Sequence, residues 1–161
     1  MRKIGLIFLK FDSESTKKII KGIKETLKDE YEISVFEAND DLENGLEVVE
    51  RCVEETEIPI FVIDALKEPE HYLAEIVRRI FEIMNNPVFM ITNFEQAEEE
   101  TLPYMYNIIG DILLENEIVN NLSEVKYETV FFSPERAVAF TKPVESDATN
   151  ADALKALLEN Y

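Results

Sequence analysis

Short apolar runs alternate with longer amphipathic stretches along most of the chain. Three runs are nearly continuous: Lys3 to Phe11 (Lys-Ile-Gly-Leu-Ile-Phe-Leu-Lys-Phe), Ile58 to Ile63 ending in Asp64, and Val88 to Thr92. Continuous apolarity over so few residues marks strands covered on both faces. Tyr31 to Phe36 alternates instead, with Ile33 and Val35 flanked by Glu32 and Ser34, the half-exposed pattern of an edge or near-edge strand. Tyr127 to Phe132 is a fifth strand, and Ala137 to Phe140 is either a short sixth strand or its continuation.

The stretches between the runs repeat at helical spacing. Asp12, Ser13 and Ser15 offer N-cap oxygens before Ile19, Ile20, Ile23 and Leu27. A second helix runs from about Leu42 to Thr56, its stripe being Leu46, Val49 and Cys52 or Val53, with Gly45 weakening its start by roughly 1 kcal/mol. A third spans about Pro69 to Asn85, where Leu73, Ile76, Val77, Ile80, Phe81 and Met84 form a wide apolar face and Asn85–Asn86–Pro87 stops it. Gln96 to about Asn120 reads as a fourth, acidic in its first turn and either opened or split by Pro103. After a polar loop from Lys142 to Asn150, Ala151 to Leu158 makes a short last helix.

Glu57 to Thr92, two buried strands joined through a helix, is the central βαβ unit, whose right-handed crossover imposes a parallel sheet. The whole order predicts one α/β domain over residues 1–161: a three-layer sandwich with a mainly parallel five-stranded sheet, flavodoxin- or Rossmann-like. Ligands of open α/β sheets bind at the carboxyl ends of the strands, which puts Asp64 at the mouth.

Composition narrows the chemistry. With 34 acidic and 16 basic residues the net charge is −18, which argues against a nucleic-acid or anionic-membrane partner, since phosphate backbones need clustered Lys and Arg. No run approaches the roughly 20 apolar residues that span a bilayer. The amino terminus leads straight into a strand, and the single Cys52 excludes an internal disulfide, so the cytoplasm is the expected compartment. One histidine, His71, and one cysteine cannot build a usual zinc site, and neither a metal nor a cofactor is expected. Gly-x-Gly-x-x-Gly and the Walker A pattern are both missing after the first strand, leaving no glycine-lined nest for a phosphate or a flavin. An acidic pocket of response-regulator type from Asp40, Asp41 and Asp64 wants a lysine at the end of the last strand, where Ser133–Pro134 stands.

Three stretches resemble the nucleoside 2-deoxyribosyltransferase-like family over about the first 92 residues: Ile7 to Asp12, with Lys10 in place of the family's proline; Ala38–Asn39–Asp40–Asp41 before a helix; and Asp64, Pro69, Glu75 and Asn86–Pro87–Val88 in the central unit. The resemblance implies a nucleoside or nucleotide ligand, with Glu75 as nucleophile at the sugar and Asp64 holding a substrate hydroxyl or base. A carboxylate can form such a glycosyl ester. Phe8 or Phe11 would then stack on the base, with Asp12, Asp40 and Asp41 as further contacts. The chain departs from the family after Glu75, where Ile76–Val77 replace Leu-Gly and crowd the space a substrate needs. Binding with degenerate or weak N-glycosidic activity is therefore the expectation. The alternative is a non-enzymatic signalling or interaction protein, a homodimer through the apolar segment Tyr104 to Leu122. His71 stands four residues before Glu75, and Arg78–Arg79 invites pairing with neighbouring acids.

Overall fold

The computed structural model describes the chain apart from residues 10, 12, 28–29, 39–40, 67–70, 97, 102–103, 105–106, 137 and 141–152, and gives only the backbone of residues 71, 72, 99, 138 and 140. Six strands form one sheet in the order β2-β1-β3-β4-β5-β6: β1 (Arg2–Leu9), β2 (Tyr31–Ala38), β3 (Ile58–Asp64), β4 (Val88–Thr92), β5 (Glu128–Ser133) and β6 (Val138–Phe140). The first five are parallel and β6 is antiparallel to β5. The expected five-stranded parallel core and flavodoxin-like order are present, and the short sixth strand closes one edge.

Handedness then places the helices. The chain leaves β1 toward β2 and afterwards works in the other direction, so right-handed crossovers put α1 (Ser13–Leu27) on one face and α2 (Leu42–Glu55), α3 (His71–Ile83) and α4 (Ile108–Glu115) on the other. The last helix, α5 (Ala153–Glu159), joins α1. Two cores result. Ile4, Leu6, Phe8, Ile60, Val62 and Met90 pack under Ile19 and Ile23 of α1 and Leu154 and Leu158 of α5. Ile7, Phe61, Ile63, Phe89, Ile91 and Phe131 pack under Val49, Ile76, Val77, Ile80, Ile112 and Leu113. The period-two alternation of each buried strand feeds both layers. Among the described residues β2 is the free edge: Glu32, Val35 and Glu37 are exposed there, whereas Phe36 and Ala38 are buried.

The helical segment expected from Gln96 to about Asn120, either opened or split by Pro103, consists of separate short pieces where it is described. Phe94–Gln96 and Glu99–Thr101 are 3-10 turns, and among the described residues of this stretch Ile108–Glu115 is the α-helix of length. Its carboxyl end is a Schellman closure, with Ile118 N–H donating to Leu113 O (2.9 Å), Glu117 N–H donating to Leu114 O (3.2 Å), and Glu117 taking the left-handed conformation at φ 54°. The apolar excess is mostly spent inside the chain, because Ile109, Ile112 and Leu113 are buried and Ile118 and Val119 pack against the same core; Tyr104, Leu114 and Leu122 stay exposed. Pro69, Pro103 and the loop from Lys142 to Asn150 lie outside the described residues.

Cys52 is fully buried on α2, its Sγ 3.7 Å from Thr56 Oγ1. Burial lifts its thiol from 9.0 to about 11. The unfolded chain therefore releases this proton first as pH rises. The contribution to stability is complete below pH 9 and drains away between 9 and about 11. It amounts to roughly 2–3 kcal/mol for a shift of this size. Denaturation midpoints measured across that window should fall with pH, and Cys52→Ala should flatten the slope.

Candidate functional site

The carboxyl ends of β3, β4 and β5 open onto the amino-terminal half of α1 and enclose a cleft of about 250 Å³. β3 contributes Asp64 as its last residue, whose Oδ1 accepts from Leu66 N–H at 2.9 Å and so turns the chain sharply out of the sheet. β4 ends at Thr92, and Asn93 follows in the left-handed conformation at φ 63°, a geometry asparagine tolerates better than most residues. This bend sends Glu95 and Gln96 over the mouth. β5 delivers Pro134 and Glu135, and α1 supplies Ser15, Lys18 and Ile19. Helix and strand end lie unusually close because Gly22 has no side chain: a Cβ there would stand 3.0 Å from the Pro134 backbone.

The lining is polar and acidic. Three carboxylates (Asp64, Glu95 and Glu135) face one ammonium, Lys18, with the hydroxyl of Ser15 and the amides of Asn93 and Gln96 between them. Arg136 meets Glu95 at 2.7 Å on the rim. Immediately before Pro134, the Ser133 hydroxyl is buried and without a hydrogen-bond partner among the described residues. Among the described residues no group of three or more His, Cys, Asp or Glu is placed to hold a metal ion, and no helix is long and apolar enough to cross a membrane.

Of the residues singled out from the sequence, Asp64 lines this cleft. Glu75 does not. It stands on α3, across the sheet from the cleft, 3.8 Å from Arg78, so the two carboxylates are not brought together. Phe8 is 1 % exposed in the core beneath α1, too deeply buried to stack on a ligand, and it packs edge-on against Phe11 at 5.4 Å. Phe11 itself is half-buried against that core. Asp41 is the N-cap of α2 and accepts from Glu43 N–H at 2.9 Å. Asp12 and Asp40 lie outside the described residues, as does the side chain of His71. Arg79 pairs with Glu50 and Glu82, and Arg78 also donates to Asn116 O, so both arginines are used within the fold.

No family model and no curated protein matches the sequence. Solved structures do. The chain superposes on translation elongation factor SelB from Methanococcus maripaludis in complex with the GTP analogue GppNHp, with a TM-score of 0.59 and 18 % identity, over 99 % of this chain and 33 % of that one. The apo form of that factor gives a TM-score of 0.60 and 18 % identity, over 99 % and 34 %. The likeness is one of fold. It extends over about a third of the factor's length. Neither structure is a nucleoside deoxyribosyltransferase, so what stands in common is an α/β fold.

The junction between β1 and α1 bears on phosphate binding. P-loop proteins carry G-x-x-x-x-G-K-S/T at such a strand–loop–helix junction, the glycines letting backbone N–H groups cradle phosphates and the lysine reaching them. In that spacing this chain has Leu9, Glu14, Ser15 and Thr16. Leu9 is buried, Glu14 puts a negative charge in the first turn of α1, and Ser15 offers a hydroxyl in place of an ammonium. An anionic side chain there uses the favourable end of the helix dipole that a phosphate would otherwise occupy. Neither the glycines nor the lysine of that pattern stands at this junction.

Proposed function

We propose that the chain is a small-molecule binding module in which the cleft between α1 and the ends of β3, β4 and β5 takes an uncharged nucleoside or a ligand of similar size, without turnover. The observation that carries this reading is the lining itself: an acidic, amide-bearing cleft repels phosphate but suits the donor-rich edge of a base and the hydroxyls of a sugar. Its volume, just below the range for drug-sized ligands, fits a nucleoside better than a dinucleotide. The shared fold with a factor seen holding a GTP analogue supports the ligand class. N-glycosidic chemistry is not included, because Glu75 is across the sheet from Asp64.

Nucleosides and the matching triphosphates, titrated separately by calorimetry and thermal shift, test the proposal. At least one nucleoside should bind and raise the melting temperature, and its triphosphate should bind more weakly. Gln96→Ala removes one polar contact from the mouth and should weaken binding about tenfold, the equivalent of a lost hydrogen bond of roughly 1.4 kcal/mol, with little change in the stability of the free protein. No response to any nucleoside, or a triphosphate preferred over its nucleoside, would sink it.

A further inference from the structure

The outward faces of α1 and α2 carry one pattern in opposite charge. On α1, Lys17, Lys21 and Lys24 recur at i, i+4 and i+7, and with Ile20 and Glu25 they line a shallow surface depression. On α2, Glu43, Glu47 and Glu50 recur at the same intervals, Leu46 takes the place of Ile20, and Glu54 continues the series. The three lysines and Glu43, Glu47 and Glu54 are exposed. Among the described residues none of these six has an ion-pair partner; Glu50 is held by Arg79. Three unpaired lysines on one helix face are notable in a chain where acids outnumber bases 34 to 16. Side chains at these spacings share one helix face, so each stripe is a continuous charged band beside a half-buried aliphatic residue.

We propose that the two bands dock on each other between copies of this chain, α1 of one copy lying on α2 of the next, with Lys17, Lys21 and Lys24 facing Glu43, Glu47 and Glu54 and with Ile20 meeting Leu46. The occupant is a second copy because the complementary band, at the same intervals and with its aliphatic residue in the same place, is on the chain itself. Since α1 and α2 cover opposite faces of the sheet, each contact leaves one α1 and one α2 free, so the contact is head-to-tail and leads to a ring or an open filament. Exposed pairs are individually weak, and the net charge of −18 repels. Association is therefore expected to be modest and strongest at intermediate salt, where remote charges are screened but neighbours still interact.

Sedimentation velocity on the full chain over a concentration series reads this directly. The average mass should climb with concentration in about 0.1 M salt and return to the monomer value near 1 M, where the screening length is about 3 Å. K17E/K21E/K24E alone and E43K/E47K/E54K alone should each be monomeric. Their equimolar mixture should associate again, because the reversed α1 of one meets the reversed α2 of the other. A wild-type chain that stays monomeric throughout overturns the proposal, as does association that survives either reversal, or a mixture that fails to associate although both variants give native circular dichroism. Should a reversal unfold the chain, K17Q/K21Q/K24Q must lower association in the same direction.

Discussion

Phe89→Ala should be the most damaging single truncation in the protein, lowering the unfolding free energy by about 3–5 kcal/mol. Phe89 is the second residue of β4 and has no exposed surface, and its ring meets Phe61 at 5.7 Å, Phe81 at 6.0 Å and Tyr127 at 6.2 Å. These partners come from β3, α3 and the segment leading into β5, so the vacated volume is bordered by elements that cannot all close on it. For a chain of this size the loss corresponds to a fall in melting temperature of roughly 10 °C. Chemical denaturation of Phe89→Ala beside Phe89→Leu separates the cavity from the lost ring contacts. A loss below about 1 kcal/mol would mean that the layer between α3 and the sheet repacks freely.

Gly5→Ala should also destabilise the protein, by a smaller amount and for the opposite reason. A Cβ at Gly5 would sit 2.5 Å from Cys52 Sγ, 2.6 Å from Thr56 Oγ1 and 2.8 Å from Thr56 Cγ2. Neither neighbour can easily retreat: Cys52 is fully buried, and the Thr56 hydroxyl donates to Cys52 O at 2.7 Å at the end of α2. Overpacking of this kind costs about 1–3 kcal/mol. Relief should come from the other side of the contact, so Gly5→Ala combined with Cys52→Ala should be less destabilised than the two single changes added together. Strict additivity in that cycle would show that α2 does not rest on β1 at this point.

The sheet was legible because its evidence is local. Each buried strand is a continuous apolar run, and β2 announces its edge by alternation. The segment after β4 misled because Ile109, Ile112, Leu113, Ile118 and Val119 are all apolar and all packed, yet packed from a short helix and the turn that follows it, and spacing alone cannot see the left-handed bend at Glu117. Among the candidate site residues, Asp64 was readable as the last residue of a buried strand. The position of Glu75 across the sheet from Asp64 is not legible in their separation along the chain, which says nothing about which face α3 covers, whereas the handedness of the crossover does. Phe8 sits in the middle of a continuous run, where an aromatic ring is a core residue first. Lys18, Asn93, Glu95, Gln96 and Glu135 carry no joint signal in the sequence because they meet only after three separate segments have folded; an asparagine directly after a buried strand is the one local sign.

The two margins of the sheet bear on how the protein behaves when crowded. Among the described residues β2 has no strand on its outer side, and its eight residues are long enough to recruit a strand from a neighbouring molecule. Glu32 and Glu37 project from it into solvent, so two such margins brought together would force like charges into contact. The opposite margin is protected by brevity, β6 having only three residues. Replacing Glu32 and Glu37 by glutamine should therefore raise the tendency of concentrated solutions to form fibrous aggregates, read by light scattering, without touching the core or the cleft.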